Sequence, residues 1–235
     1  MTGRIILLRH GQTFSNVERL LDTRPPGAEL TERGREQATD VGIELAHLVA
    51  AWKGEQGRLR GFVTSVALRA QQTAMLAARS FESTVGLPPF SVDVEVRTGI
   101  HEVFTGDYEM SNSEDAHRSY STALRGWLDG DVEARCPGGE NYQDVLARYQ
   151  PVLENIAAGL GDDDDVVVVS HGAAIRLVAT HASGIDADFA FTGYIQNCRF
   201  VVLEPRGQGF GKWTVTRWAD TEVDQSQWPQ HFLGA

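Results

Sequence analysis

Two histidines in this chain each follow an apolar run and precede a glycine. Ile5-Ile6-Leu7-Leu8 runs into Arg9-His10-Gly11-Gln12-Thr13, and Val166-Val167-Val168-Val169 runs into Ser170-His171-Gly172. A buried strand ending in a histidine beside a glycine turn delivers an imidazole to the carboxyl edge of a sheet, where open α/β sheets bind ligands. At the first corner Arg9 supplies a permanent charge. Gly11 permits close approach of a ligand to backbone N–H groups, and Thr13 and Asn16 add donors one helical turn apart, near a helix N-terminus. Such a set grips a tetrahedral anion while an imidazole nitrogen faces it. A neutral imidazole there can attack phosphorus and form a phosphohistidine, dividing one hard step into two easier ones. A lone histidine at a strand end has no such role by default; the neighbours of His10 change the reading. His10 itself is expected at an exposed strand end.

The elements that position these corners alternate between strand and helix patterns. Arg4 to Leu8 reads as a first strand. A helix begins near Thr31-Glu32 with Thr31 as N-cap, and Ala38, Val41, Leu45 and Leu48 form its apolar stripe. Gly61 to Thr64 reads as a second strand, Ala67 to Ser80 as the helix after it, and Phe90 to Val96 as a period-two third strand. Tyr142, Val145, Tyr149, Leu153 and Ile156 resume a helical stripe. Val166 to Val169 is a fully apolar strand, with a helix from Ala173 to Ala182 behind it. Phe200 to Leu203 and Trp213 to Val215 read as an antiparallel pair at the sheet edge. This alternation predicts an α/β protein with a mainly parallel central sheet. The stretch from about 103 to 139 is too long for an ordinary connection and reads as a partly helical, lid-like insert over the site of a single domain spanning 1–235. The acidic run Asp162 to Asp165 reads as a solvated turn feeding a strand.

The bulk composition narrows the partners. A net charge of −11 excludes nucleic acid and anionic membrane surfaces as expected partners. An acidic protein that binds phosphate must concentrate its cations locally. Almost all of them are arginines, Lys53 and Lys212 being the lysines, and arginine suits a bidentate grip on phosphate oxygens. Cys136 and Cys198 have no paired spacing and read as reduced thiols of a cytoplasmic protein. The first apolar run is too short for a signal peptide, and no stretch reaches the roughly 20 apolar residues of a membrane span. His47, His117, His181 and His231 do not fall at metal-ligand spacing. Gly207 to Lys212 mimics a phosphate loop, but no Ser or Thr follows Lys212, so it reads as a hairpin turn.

Arg9-His10-Gly11-Gln12-Thr13 with Asn16 resembles the signature of the histidine phosphatase superfamily, its phosphoglycerate mutase-like branch included. Further blocks follow in that family's order: Leu30-Thr31-Glu32-Arg33-Gly34 with Gln37-Ala38; Thr64-Ser65 with Leu68-Arg69-Ala70 and Thr73-Ala74; Ile100-His101-Glu102 with Gly106-Asp107-Tyr108; Gly138-Gly139-Glu140 with Arg148; and Val169-Ser170-His171-Gly172. The resemblance implies a three-layer α/β/α sandwich with the site at the carboxyl edge of the sheet. It implies Arg69 as a second phosphate-binding arginine, Glu102 as proton donor and His171 as a second active-site histidine. The positions agree physically, since Arg69 starts a helix after a strand and Glu102 follows the third strand, both at that edge. His171 can donate to a phosphoryl oxygen as charge builds in the transition state.

The expected chemistry is hydrolysis of a small phosphorylated metabolite without metal or cofactor. Arg9, Arg69, His171 and Asn16 would hold the phosphoryl group, with Gly11, Gln12, Thr13 and Gly172 as further binding positions. His10 attacks, and Glu102, protonated in the ground state, gives its proton to the leaving oxygen. The alternatives are mutase-type phosphoryl transfer and a non-catalytic phospholigand-binding protein. The segment after Arg217 lacks Lys and Arg and carries Asp220, Glu222 and Asp224, which would repel a bisphosphate if it closed the site. That favours hydrolysis. The di-proline Pro25-Pro26 is expected to stiffen a rim, with Arg24 facing the leaving group. A homo-oligomer is compatible with this sequence, which does not set the oligomeric state.

Overall fold

The computed structural model describes residues 2–224 of the chain; His231 lies outside them. Strand β1 (Arg4–Arg9) lies inside the sheet. Its side chains alternate between faces, as strand geometry requires. Ile5 and Leu7 join Val63, Val168, Trp127, Leu153 and Leu177 on one face. Ile6 and Leu8 join Phe62, Val167, Leu45 and Phe81 on the other. All four β1 residues are fully buried, which is why the run reads as continuous rather than alternating apolar sequence.

Among the described residues the sheet has seven strands in the order β3-β2-β4-β1-β5-β6-β7. The first four are parallel: β3 (Val94–Arg97), β2 (Leu59–Ser65), β4 (Asp165–Ser170) and β1. The pair read at the edge forms β5 (Phe200–Glu204) and β6 (Thr214–Trp218), antiparallel, with a short β7 (Thr221–Glu222) beyond. Helices α2 (Glu32–Leu48) and α3 (Leu68–Val85) cover one face. α4 (Glu114–Asp129), α5 (Tyr142–Gly159) and α6 (Gly172–Ser183) cover the other, with α7 (Ala187–Thr192) packed on α4 and α6. The expected three-layer sandwich is the observed architecture. A single turn of helix, α1 (Phe14–Val17), follows the first histidine corner.

Within the stretch from 103 to 139 lie a short 3-10 turn (Gly106–Tyr108) and all of α4. Ser113 caps α4 by accepting the Ala116 N–H, Glu114 and Asp115 sit at its positive end, and Gly130 ends it at φ 78°. Two expectations are corrected. The third strand begins at Val94, not Phe90, because the buried Glu82 carboxylate takes the N–H groups of Phe90 and Val92 at 2.9 and 2.8 Å. Phe90 also turns at φ 65°, so this segment has left the ladder. The acidic run is not solvated throughout. Asp165 is fully buried and accepts from Arg4 Nε at 2.9 Å and Arg58 Nε at 3.1 Å. Two guanidiniums satisfy the charge there.

Cys136 and Cys198 are buried free thiols, and burial pushes the Cys198 thiol up to about 12. No helix among the described residues is long and apolar enough to cross a membrane.

Candidate active site

Parallel pairing of β1 with β4 sets Arg9 opposite Ser170, so the two histidine corners leave the sheet side by side. The rings of His10 and His171 lie 5.2 Å apart between centroids. His10 is 4% exposed, so it is a buried residue and not the exposed strand end expected. The Cys198 N–H bonds to Arg9 O, and Asn197 Nδ2 donates to His10 O at 3.0 Å, roofing the strand end. His10 Nδ1 is 2.7 Å from Gly11 O. A carbonyl can only accept, so Nδ1 carries the proton and Nε2 keeps its lone pair. Burial, followed by the charges of Arg69 and Arg9, holds the imidazole well below its ordinary pKa. The ring is therefore neutral near pH 7.

Two arginines converge beside it. Arg9 NH1 donates to Tyr194 OH at 2.7 Å and Ile195 O at 2.6 Å. Arg69, buried at the start of α3, donates from NH2 to Asp22 O at 3.0 Å and from Nε to His171 Nδ1 at 3.2 Å. Gly27, at φ 65°, makes room for this guanidinium: a Cβ there would lie 2.1 Å from Arg69 NH1. Arg9 Nε and Arg69 NH1 are buried with no hydrogen-bond partner among the described residues; Asp22 Oδ1 stands 3.7 Å from Arg69 NH1, too far for a bond. Buried donors are nearly always satisfied. Both arginines line a cavity of about 420 Å³, together with His10 and Glu102, so the missing acceptor is one the cavity would admit.

His171 reaches the site but not the cavity wall. Its Nδ1 accepts from Arg69, so Nε2 carries the proton and donates to Ser65 Oγ at 2.9 Å. With both nitrogens engaged, it orients Arg69 rather than presenting a donor to a ligand. Glu102 does line the cavity. Its Oε1 accepts the N–H groups of Val103 and Ala174, both at 2.9 Å, and Oε2 accepts that of Ala173 at 3.2 Å. The carboxyl oxygens accept all three bonds, which fixes the group at the cavity wall. Arg148 fixes the segment, donating to the carbonyls of Gly99, His101 and Glu102 while paired with Glu140. Glu109 binds Thr23 and Arg24 N–H groups at 2.8 and 3.0 Å and so fastens a loop instead of facing the cavity.

Among the remaining expected positions, Thr13 and Asn16 line the cavity and cap each other across α1. Asn16 Oδ1 accepts from Thr13 N and from Asn197 Nδ2, which leaves its NH2 group to donate to a ligand. Gly172 also lines the cavity; a Cβ there would meet Arg9 Nε at 3.2 Å. Gly11 and Gln12 do not line it. Their N–H groups go to Thr73 Oγ1 at 3.0 Å and Gln37 Oε1 at 2.9 Å, and a Gly11 Cβ would lie 2.5 Å from Gly34 O. Gly11 thus lets two backbone segments pack closely. Arg24 is exposed, its guanidinium carbon 3.7 Å above the Phe104 ring, and is absent from the wall. The sequence reading missed Arg19, Arg176 and Tyr120, all on the wall. Asp220 pairs with Arg199 at 3.0 Å, and Glu222 lies on β7 at the sheet edge. Neither lines the cavity, and the part of the segment beyond residue 224 lies outside the described residues. Among the described residues no three His, Cys, Asp or Glu side chains cluster as a metal site requires.

A family model described as histidine phosphatase superfamily (branch 1) matches residues 5–221. The chain belongs to that superfamily. Within it, a bifunctional protein of Mycobacterium tuberculosis is 29% identical over 175 residues. That match takes in 74% of this chain but 43% of the relative, so the chain spans less than half of that relative's length. A 2,3-bisphosphoglycerate-dependent phosphoglycerate mutase of Chelativorans sp. is 29% identical over 190 residues, covering 80% of this chain and 85% of the mutase. Among solved structures, a mycobacterial glucosyl-3-phosphoglycerate phosphatase in complex with VO3 is 25% identical. It superposes with a TM-score of 0.70 over 93% of this chain and 99% of its own. Proteins named as phosphatases and as mutases thus both occur among the relatives and structural neighbours of this chain.

Proposed function

We propose that this protein is a metal-independent phosphomonoesterase that hydrolyses a small phosphorylated metabolite through a phosphohistidine on His10. One observation carries the reading: a neutral, tautomer-fixed imidazole shares a cavity with two arginines, each holding a buried guanidinium nitrogen that has no partner among the described residues. In the proposed reaction Arg9, Arg69 and the Asn16 NH2 group hold the phosphoryl oxygens. The Nε2 lone pair of His10 attacks phosphorus and the bond to the leaving oxygen breaks. Glu102 delivers a proton to that oxygen, then receives one from the water that cleaves the phosphohistidine. His171 acts through Arg69. The cavity volume suits a small ligand.

A mutase must shelter its phosphoenzyme from water. Here, among the described residues, Arg19 and Tyr194 on the cavity wall are exposed, Tyr194 by 61%, and such a rim favours water as the acceptor. Phosphate release from p-nitrophenyl phosphate, measured in EDTA and with vanadate, tests the reading. Full activity in EDTA with vanadate inhibition is expected. Activity lost on chelation and restored by a divalent cation would contradict it.

A further inference from the structure

Four consecutive carbonyls, those of Gly99, Ile100, His101 and Glu102, are each held by a side chain from another element. Arg148 on α5 takes three of them. Its NH1 donates to Gly99 O at 2.7 Å and His101 O at 2.8 Å, and its NH2 to Glu102 O at 3.0 Å. The two N–H groups left go to Glu140, Nε to Oε1 and NH2 to Oε2, both at 2.8 Å. All five donors of the planar guanidinium are thereby used. The fourth carbonyl, that of Ile100, accepts from Ser170 Oγ at 2.8 Å.

Ser170 is fully buried at the end of β4, and its own carbonyl accepts the His10 N–H at 3.0 Å. The Glu102 segment and the His10 corner are therefore fastened to one residue. Glu140 holds the far end of the segment. Its Oε2 accepts the Phe104 N–H at 2.9 Å, and its N–H donates to Phe104 O at 3.0 Å. Gly99, at φ 92°, brings the near end against α5, where a Cβ would lie 2.5 Å from Arg148 O. An ion pair is a weak source of net stability, whereas a planar fork sets direction at five points, which a lysine cannot reproduce. What this fork directs is the backbone that carries Glu102 to the cavity wall.

Resting on the phosphatase reading, in which Glu102 gives up a proton, we infer that Arg148, oriented by Glu140, is a positioning residue for that step. It touches no substrate. It holds the Glu102 carboxyl within reach of the leaving oxygen, beyond any part it has in holding the fold. A proton donor must lie within hydrogen-bond reach of its target, and a displacement of about 1 Å can cost about 100-fold in rate.

Single-turnover phosphorylation by p-nitrophenyl phosphate and by isopropyl phosphate separates this role from a structural one. The first leaving group departs almost unaided and the second needs the proton, so a site that is merely loosened slows both alike. Arg148→Lys should slow isopropyl phosphate at least about tenfold more than p-nitrophenyl phosphate. Glu140→Gln should open a gap of at least about threefold in the same sense. Added to Glu102→Gln, neither substitution should widen that variant's gap by more than about twofold, because the group they position is gone. Thermal melting identifies the variants that fold. Glu140→Gln, which keeps the side chain's size and one acceptor oxygen, carries the test if Arg148→Lys does not fold. Equal slowing of both substrates in every folded variant, or a gap that multiplies with that of Glu102→Gln, would overturn the positioning role while Glu102 keeps its own. No gap in Glu102→Gln itself would overturn the acid and its positioning together, leaving the phosphohistidine at His10 standing.

Discussion

Gly34→Ala separates steric contact from helix propensity, because the two predict opposite signs. Gly34 occupies the third position of α2, where its N–H is capped by Thr31 Oγ1 at 3.0 Å. At an ordinary helical position, exchange of glycine for alanine stabilises by about 1 kcal/mol. Here a Cβ would lie 2.0 Å from Gln12 O, at least about 1 Å inside the closest approach that real Cβ atoms make. Both atoms belong to backbone, so α2 or the turn after His10 must move. Overpacking of this kind costs about 1–3 kcal/mol, which offsets the propensity gain and leaves a net loss of up to about 2 kcal/mol. A chain of this length should then melt up to about 8 °C lower. Because the moving turn carries His10, a shift of about 1 Å should lower kcat/KM by up to about 100-fold. Melting temperature and p-nitrophenyl phosphate turnover are measured beside Gly159→Ala, whose Cβ would meet nothing within 4 Å and which should leave both unharmed. A Gly34→Ala protein as stable and as active as the parent would refute the contact between α2 and the His10 turn.

Glu102→Gln should slow phosphorylation by an alkyl phosphate about 10²–10⁴-fold more than by p-nitrophenyl phosphate in a single turnover, since only the alkoxide needs a proton; equal losses would make Glu102 electrostatic or structural. Burial holds His10, His101, His171 and His181 below their ordinary pKa values. The unfolded chain therefore binds more protons just below pH 6.5, so stability is full above that value and falls on acidification, by up to about 1.4 kcal/mol per pH unit per histidine. Urea midpoints at pH 7.5 and 5.5 check this, and an equal or higher midpoint at pH 5.5 would contradict it. Arg24→Ala should change kcat/KM less than threefold, and alike for every phosphate ester, because Arg24 stacks on Phe104 away from the cavity. A loss confined to some leaving groups would return it to the site.

The central sheet was readable because β1 and β4 are buried on both faces, which forces the apolar runs at Ile5–Leu8 and Val166–Val169. The histidine corners follow directly from where those runs stop. α4 went unplaced in the insert although Ala116, Tyr120, Ala123, Leu124, Trp127 and Leu128 fall at helical spacing, and its Ser113 cap, acidic first turn and Gly130 stop are all local signals. Gly11 illustrates a true ambiguity. A glycine needed for a ligand and one needed for a neighbouring backbone look alike in sequence, and only the approach of Gly34 tells them apart. Arg19, Arg176 and Asn197 were invisible for a related reason. Their placement depends on elements distant in the chain, as with His117 on the Arg19 carbonyl and Asn197 on His10 O and Asn16 Oδ1. Burial of Asp165 likewise requires Arg4 and Arg58, which no local pattern announces.

The most direct test is to trap the covalent intermediate. Protein mixed with phosphoryl-labelled substrate is quenched in alkali within one turnover, and the labelled peptide is mapped by mass spectrometry. The label should be acid-labile and alkali-stable, sit on the peptide holding His10, and be absent from the His10→Ala protein. Phosphate release without any label, or a label on another residue that survives in His10→Ala, would contradict the phosphohistidine at His10.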